Sequence, residues 1–341
     1  MGYLHIDAIT TQSAKRPEWP CGDSVVCDRN SSGTTLILCD GLGSGIRASV
    51  AAQFVSTRLI EKVRSEGASV RGAFADVVRT LESNRGGELP WGAFSLARIR
   101  PDGDCVILSY ESPPPVLISR RHAMVLPGRQ VLPGEALVTE TNCCLEPGDA
   151  VLLMSDGITQ AGLGNGLPEG WTSEGVCREL NLRLSEGAKV ADVPPMVEAR
   201  AKQLWGDKQG DDCTAMLASA RQGLVVNLFT GPPASREKDG EVVRRFLEKG
   251  DFKVVCGAST ARLVARELGQ KLEVEQDSAS LMAPPRYRIE GVDLVTEGAV
   301  CLNQLYNILE EDPAHFEERS AVTDLHDLLR VGDRIHIFQG V

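Results

Sequence analysis

The rhythm of hydrophobic and polar positions changes along the chain, and each change marks a different kind of element. Residues 34–39, Thr-Thr-Leu-Ile-Leu-Cys, form an apolar, partly β-branched run that predicts a buried strand stopping at Asp40-Gly41. Ile46, Val50, Phe54, Leu59 and Val63 then recur near the helical period behind Gly45, giving strand, glycine-rich turn and long helix. A second helix is predicted over residues 70–81, and the Ser-Asn-Arg-Gly-Gly stretch from Ser83 breaks it. Strands follow. Residues 92–100 and 105–110 flank Pro101-Asp-Gly-Asp104, a strong hairpin turn, and strands at 116–119, 135–141 and 150–154 continue the series. Short strands at regular spacing predict an antiparallel sheet or sandwich. Helices at 173–184 and 193–204, a loop at 206–210 and a strand at 213–218 close this part.

Past the polar break at 220–223 the pattern alternates: strand 224–229, helix 241–247, strand 253–256, helix 261–268. This βαβα order predicts a smaller α/β domain with a parallel sheet. The expected division is therefore 1–221 and 222–341, and a length of 341 residues suits two domains.

Composition narrows the class. A hydrophobic content of 42% with 24% charged residues is that of a folded globular chain. The net charge of −11 disfavours nucleic acid or an anionic membrane as a partner. The N-terminus lacks the basic and apolar regions of a signal peptide, and no apolar run approaches the ~20 residues of a membrane helix. Ten cysteines occur without Cys-x-x-Cys spacing, so a zinc knuckle is not expected. These features predict a cytoplasmic protein with free thiols.

Candidate chemistry lies in the acids. Asp-Gly occurs at Asp40, Asp102, Asp156 and Asp239. Asp102 is the hairpin turn, and Asp239 sits in a polar stretch before a helix. Asp40 and Asp156 differ, because each ends an apolar strand, where a carboxylate must be solvated, paired or metal-bound. Capping is the simple alternative for either one alone. Asp23 in Cys-Gly-Asp-Ser and Asp211 in Gly-Asp-Asp-Cys-Thr each stand just before a strand. Four strand-end aspartates from both halves of residues 1–220 form a constellation that no single pair makes.

In this order, Gly22-Asp23, Asp40-Gly-Leu-Gly-Ser-Gly45, Ser155-Asp-Gly157 and Gly210-Asp-Asp-Cys-Thr214 resemble the metal-dependent serine/threonine phosphatases of type 2C, the PPM family. The similarity covers roughly residues 5–219. It points to the bacterial branch typified by stage II sporulation protein E and the sigma-factor regulatory phosphatases; Asp40-Gly-Leu-Gly-Ser-Gly-Ile-Arg-Ala-Ser and Pro113-Pro-Pro-Val-Leu-Ile118 carry that part. The resemblance implies an α+β fold, a central antiparallel β-sandwich flanked by helices in four layers (αββα). It implies two Mn2+ or Mg2+ ions, with Asp40 bridging both, the Gly41 carbonyl and Asp23 serving one, and Asp156 and Asp211 holding the other. Asp212 occupies a position that is Asn or Asp in relatives, and either supports the site or shifts the register by one. The implied reaction is hydrolysis of phosphoserine or phosphothreonine by a water that the two ions activate, with Asp40 and Asp156 central. Implied substrates are signalling phosphoproteins of the anti-anti-sigma kind. The helix starting near Gly45 can act in this family as a switch on partner binding.

Physics agrees independently: converging carboxylates repel by about 4 kcal/mol per close pair at an effective dielectric of 20, and all-oxygen ligands suit Mg2+ or Mn2+. Two departures stand out. Eukaryotic members bind phosphate with an upstream arginine, for which only Lys15 and Arg16 are available, and Glu111-Ser112 replaces the Ala-Gly-His of many relatives. Cys21, Cys39 and Cys213 lie within two residues of proposed ligands, which raises thiol oxidation as a control; the plainer reading is buried strand-end cysteines pointing away. A phosphatase fold kept as a regulatory binding module without turnover is the second functional reading. In the C-terminal part, Ser259 and Thr260 are expected to cap a helix beside a potential anion site, and a nucleotide-binding role is the third reading.

Overall fold

A computed structural model describes residues 3–65, 69–83, 91–131, 137–206, 210–248, 250–275, 286–316 and 320–340. The chain divides into two compact units, Tyr3–Arg221 and Gln222–Val341.

The first unit contains strands β1 (Leu4–Ser13), β2 (Asp23–Asn30), β3 (Gly33–Gly41), β4 (Gly92–Ile99), β5 (Asp104–Tyr110), β6 (Val116–Ser119), β7 (His122–Val125), β8 (Arg129–Gln130), β9 (Val138–Cys144), β10 (Ala150–Met154) and β11 (Cys213–Gln222). Its helices are α1 (Ile46–Arg64), α2 (Val70–Glu82), the single turn α3 (Asp156–Thr159), α4 (Thr172–Ser185) and α5 (Val193–Trp205). One sheet runs β2-β3-β4-β5-β9-β8 and the other β1-β11-β10-β6-β7.

Strand alternation builds the layers. In β3, Leu36 and Leu38 join a core shared with Val151 and Leu153 of β10 and Met216 and Ala218 of β11, so they lie between the sheets. Ile37 and Cys39 face the other way, against Val55 and Leu59 of α1 and Phe74 and Val77 of α2. Leu152 and Met154 of β10 and Ala215 and Leu217 of β11 turn outward onto Val176 and Leu180 of α4 and Val197 of α5. Three apolar clusters thus separate four layers, the α+β αββα sandwich.

The sheets match expectation and the helix faces do not. On α1 the core-facing residues are Ala48, Ala51, Ala52, Val55, Ser56, Leu59 and Ile60, whereas Ile46, Val50 and Phe54 of the predicted apolar stripe are exposed. Alanines let the helix lie against the strand end: a Cβ on Gly41 would stand 2.0 Å from the Ala48 carbonyl oxygen. The strand expected at Asp23 is β2, which begins at that residue, whereas β1, β7 and β8 lack a strong apolar run and no sequence pattern marks them. The predicted start of β9 at Glu135, the break at 84–87 and the middle of the 206–210 loop lie outside the described residues.

The second unit contains β12 (Val225–Thr230), α6 (Asp239–Glu248), β13 (Phe252–Cys256), α7 (Ala258–Glu267), β14 (Glu273–Glu275), β15 (Arg286–Arg288), β16 (Leu294–Thr296), α8 (Ala299–Ile308), α9 (Ala321–Val331) and β17 (Arg334–Gln339). Its sheet runs β14-β15-β16-β13-β12-β17. The β16, β13, β12 and β17 pairings are parallel, as the alternation predicts, and β14 and β15 add an antiparallel edge. Among the described residues no helix is long and apolar enough to cross a membrane.

Candidate active site

Asp23 and Asp40 are directly opposite each other in the β2–β3 ladder, so their side chains share a face. Alternation puts Asp40 on the side of Leu36 and Leu38, the inter-sheet side, at the end of the sandwich. From the other sheet, Asp156 opens α3 immediately after β10, and Asp211 and Asp212 lead into β11. Ser155 and Thr214 stitch these two approaches together: the Ser155 amide donates to the Thr214 carbonyl at 3.0 Å, and the Thr214 amide to the Ser155 hydroxyl at 2.9 Å. The turn after Asp156 must be glycine, because a Cβ on Gly157 would lie 2.0 Å from the Asp212 carbonyl oxygen. The Trp205 indole donates to the Gly157 carbonyl at 3.0 Å and fixes that turn from α5.

The acids form one electrostatic cluster. Burial, then the charges of Asp23 and Asp156, push Asp40 up to about 10. The side-chain contact between Asp40 and Asp156 raises Asp40 further and lowers Asp156, which burial and the charge of Asp211 raise. Burial raises Asp23 to about 7, with Asp212 and Asp156 adding to it and the hydroxyls of Thr214 and Ser155 opposing. The Thr214 hydroxyl accepts from the Gln12 amide at 3.2 Å, and the Ser155 hydroxyl accepts from the Thr214 amide and donates to the Asp212 carbonyl at 3.4 Å. Both carboxylate oxygens of Asp23 are buried without a hydrogen-bond partner. A buried carboxylate in that state lacks its counterpart.

Asp211 and Asp212 point to different neighbours. Asp212 is buried, accepts the Lys15 backbone N–H at 2.7 Å, and lies so close to Gly22 that a Cβ there would be 2.6 Å from its Oδ2. Asp211 is partly exposed, and its charge acts on Asp40 and Asp156. Lys15 reaches the cluster, with Nζ 3.5 Å from Asp211 Oδ1. Arg16 goes elsewhere: its guanidinium sits 4.3 Å from the centre of the Trp19 ring, and that ring covers Gly45 at the start of α1.

Five aspartates, the Gly41 backbone and Lys15 therefore meet at one end of the sandwich. Among the described residues, no three His, Cys, Asp or Glu side chains make a ready metal site. The donor set nevertheless fits a hard divalent cation: it is all oxygen, its charges raise one another's pKa, and Asp23 carries two orphaned oxygens. The sequence missed Gln12 and Gln160, whose amide donates to Asp156 Oδ2 at 2.8 Å, since no pattern marks a lone glutamine. Ser155 and Thr214 stood inside the motifs without an assigned role.

The nearby thiols are poor redox groups. Cys39 is fully buried on the helix-facing side of β3, opposite to Asp40. Burial raises Cys21 and Cys213 each to about 12 and Cys39 well above its ordinary value, so all three stay protonated. This favours the plain reading of strand-end cysteines.

Residues 30–221 match the family described as Stage II sporulation protein E (SpoIIE). Among solved structures, the chain is similar to the phosphatase domain of the cell-fate determinant SpoIIE from Bacillus subtilis in a crystal form without domain swapping, at 20% identity and a TM-score of 0.50, over 65% of this chain and 95% of that one. A second structure from the same organism, the PP2C phosphatase domain with a fragment of the regulatory domain, gives 19% identity and a TM-score of 0.54 over 64% of each chain. The RsbU and RsbW domains of Rv1364c from Mycobacterium tuberculosis give 17% identity and a TM-score of 0.52, over 72% of this chain and 68% of that one. Comparison with the curated proteins gives no match.

Proposed function

The chain belongs to the stage II sporulation protein E family, and from that premise we propose that residues 1–221 are a metal-dependent protein serine/threonine phosphatase. The observation that carries the reading is the pairing of Asp23 with Asp40: a buried acid and a half-buried one face each other in register, and Asp23 has no hydrogen-bond partner at either oxygen. Asp23, Asp40, Asp156, Asp211 and the Gly41 carbonyl are the groups to hold two Mn2+ or Mg2+ ions. When bound, such ions supply a water of lowered pKa and a clamp on the phosphoryl oxygens.

The chain's own residues prepare the site. Asp40, whose pKa is raised by burial and by the charges of Asp23 and Asp156, would have to give up a proton to hold a cation. The Ser155–Thr214 stitch holds Asp156 and Asp211 at a fixed separation, and the Gln160 amide orients Asp156. Asp212 acts as a brace, tying the approach to β11 to the backbone of Lys15. The Lys15 ammonium, already at the rim, offers a positive charge to the substrate phosphate; Arg16, stacked on Trp19, is assigned to the start of α1 instead. A phosphoprotein of a cytoplasmic signalling pathway, including sigma-factor control, is the proposed substrate class.

Phosphate release from p-nitrophenyl phosphate and from a phosphothreonine peptide, with Mn2+ and with EDTA, tests the enzyme reading. Mn2+-dependent release that disappears in Asp156→Ala is expected. Release no greater than that of Asp156→Ala would leave the regulatory binding module as the better account.

A further inference from the structure

Strands β5 and β9 carry two cysteines directly opposite each other, Cys105 and Cys143. Just beyond the pair the Leu145 N–H donates to the Gly103 carbonyl at 2.9 Å, and at the other end of the ladder the Glu111 N–H donates to the Leu137 carbonyl at 3.1 Å. Hydrogen-bonded and non-hydrogen-bonded pairs alternate along an antiparallel ladder, so Cys105 and Cys143 are a hydrogen-bonded pair, with Cα atoms about 5.5 Å apart. A disulfide spans that separation. Directly opposite side chains share a face, and here both turn to the inter-sheet core of Leu36, Ile99 and Val151. The thiols already touch: Cys105 donates a hydrogen bond to the Cys143 sulfur.

Their surroundings give the two thiols different roles. Cys105 is buried, and contact with Cys143, then burial, pushes it well above the ordinary thiol value. Cys143 is half-buried, and the hydrogen bond from Cys105 holds it below that value against the opposing effect of burial. A partly open thiol with a lowered pKa is the one that reacts. Cys27 and Cys144 are more exposed, yet burial raises Cys27, and desolvation with the charges of Asp104 and Glu146 raises Cys144. Exposure alone therefore ranks Cys27 and Cys144 first, whereas thiol chemistry ranks Cys143 first. The pair is remote from the aspartates: Asp40 faces Ala93 near the start of β4, and Cys105 faces Ile99 at its end.

We propose that Cys105 and Cys143 form an oxidisable dithiol, which hydrogen peroxide converts into a cross-strand disulfide, with Cys143 attacking and Cys105 resolving. The Cys143 sulfur attacks one peroxide oxygen, the O–O bond breaks, Cys143 becomes a sulfenic acid, and the other oxygen leaves as water with the proton that Cys143 gave up. The Cys105 sulfur then attacks Cys143 Sγ; the S–S bond forms, the S–O bond breaks, and the Cys105 proton leaves with the hydroxyl as a second water. Two thiols are oxidised and one peroxide is reduced to two waters. The bond would lock β9, and with it the excursion through β6, β7 and β8, to β5. This site is separate from the aspartate cluster and does not depend on the phosphatase reading.

Treatment of the full chain with a slight excess of hydrogen peroxide in EDTA, followed by alkylation, digestion and peptide mass spectrometry, tests the assignment. A cross-linked peptide containing Cys105 and Cys143, lighter by two hydrogens and lost on reduction with dithiothreitol, is expected to form roughly tenfold faster than Cys27 or Cys144 is oxidised. Cys143→Ser should abolish the cross-link and leave Cys105 reduced. Cys105→Ser and Cys105→Ala should each stop the reaction at a Cys143 sulfenic acid that dimedone traps, and either variant suffices if the other fails to fold. Oxidation of Cys27 or Cys144 ahead of Cys143, a Cys143–Cys144 bridge in place of the cross-strand one, or oxidation of Cys105 at the wild-type rate in Cys143→Ser would overturn the proposal.

Discussion

Asp211 and Asp212 are adjacent in sequence and live in different surroundings. Asp212 is buried and accepts a backbone N–H, whereas Asp211 is open enough to touch Lys15 and acts on Asp40 and Asp156. Asp212→Ala should therefore destabilise the fold by about 1 kcal/mol, the cost of a part-buried N–H left without its acceptor, which a denaturant melt will read. Asp211→Ala should leave that melt nearly unchanged and lower Mn2+-dependent turnover by ~100-fold or more, above the cost of losing a mere supporting partner. The pair was ambiguous in the sequence because the two carboxylates are separated only by how the chain enters β11.

The titration of Asp23 and Asp40 gives a second prediction on this scale. Both acids have folded pKa values above the ordinary 3.8, at about 7 and about 10, so between these limits the folded state binds more protons than the unfolded one. Stability then falls as pH rises, in contrast to an acid held in a salt bridge. In EDTA, the melting temperature should decline from pH 5 through pH 9, and Asp40→Asn should flatten the decline. A melting temperature that rises over this range would contradict the shifts.

Elements are where legibility varied most. The apolar runs of β3 and β10 and the hairpin at Asp102 could be read directly, because buried strands and Asp-Gly turns have strong local causes. Strand β1 could not, since Leu4–Ser13 mixes polar and apolar residues and takes its place from its position beside β11. Helix α1 was found, but its inner face was misjudged. Hydrophobicity favoured Ile46, Val50 and Phe54, and close packing favoured alanine. The contact between Gly41 and Ala48 makes this testable. Gly41→Ala must push α1 from the strand end and should destabilise by about 1–3 kcal/mol, as overpacking does, with weaker Mn2+ binding in calorimetry. A variant as stable as wild type would show that α1 is not held by this approach.

On the scale of the whole molecule, the aspartate constellation was legible because its members sit in short motifs at strand ends, whereas the start of α7 was not. Ser259 and Thr260 read as caps, but Gly257 takes the N-cap position and both residues lie in the first turn of α7. Each of the five apolar clusters draws its residues from one unit. Separate cores predict separate cooperative melting. Scanning calorimetry should resolve two transitions, and Mn2+ should raise only the one that belongs to residues 1–221. A single transition that moves as a whole would refute independent units.

Counting ions and protons together tests most directly whether the clustered aspartates hold divalent cations. Mn2+ titration calorimetry near pH 7, repeated in buffers of different ionisation enthalpy, should find two ions bound with protons released, because Asp40 and part of Asp23 begin protonated. Asp40→Asn should lose this signal. Binding without proton release, or an unchanged titration in Asp40→Asn, would contradict the account.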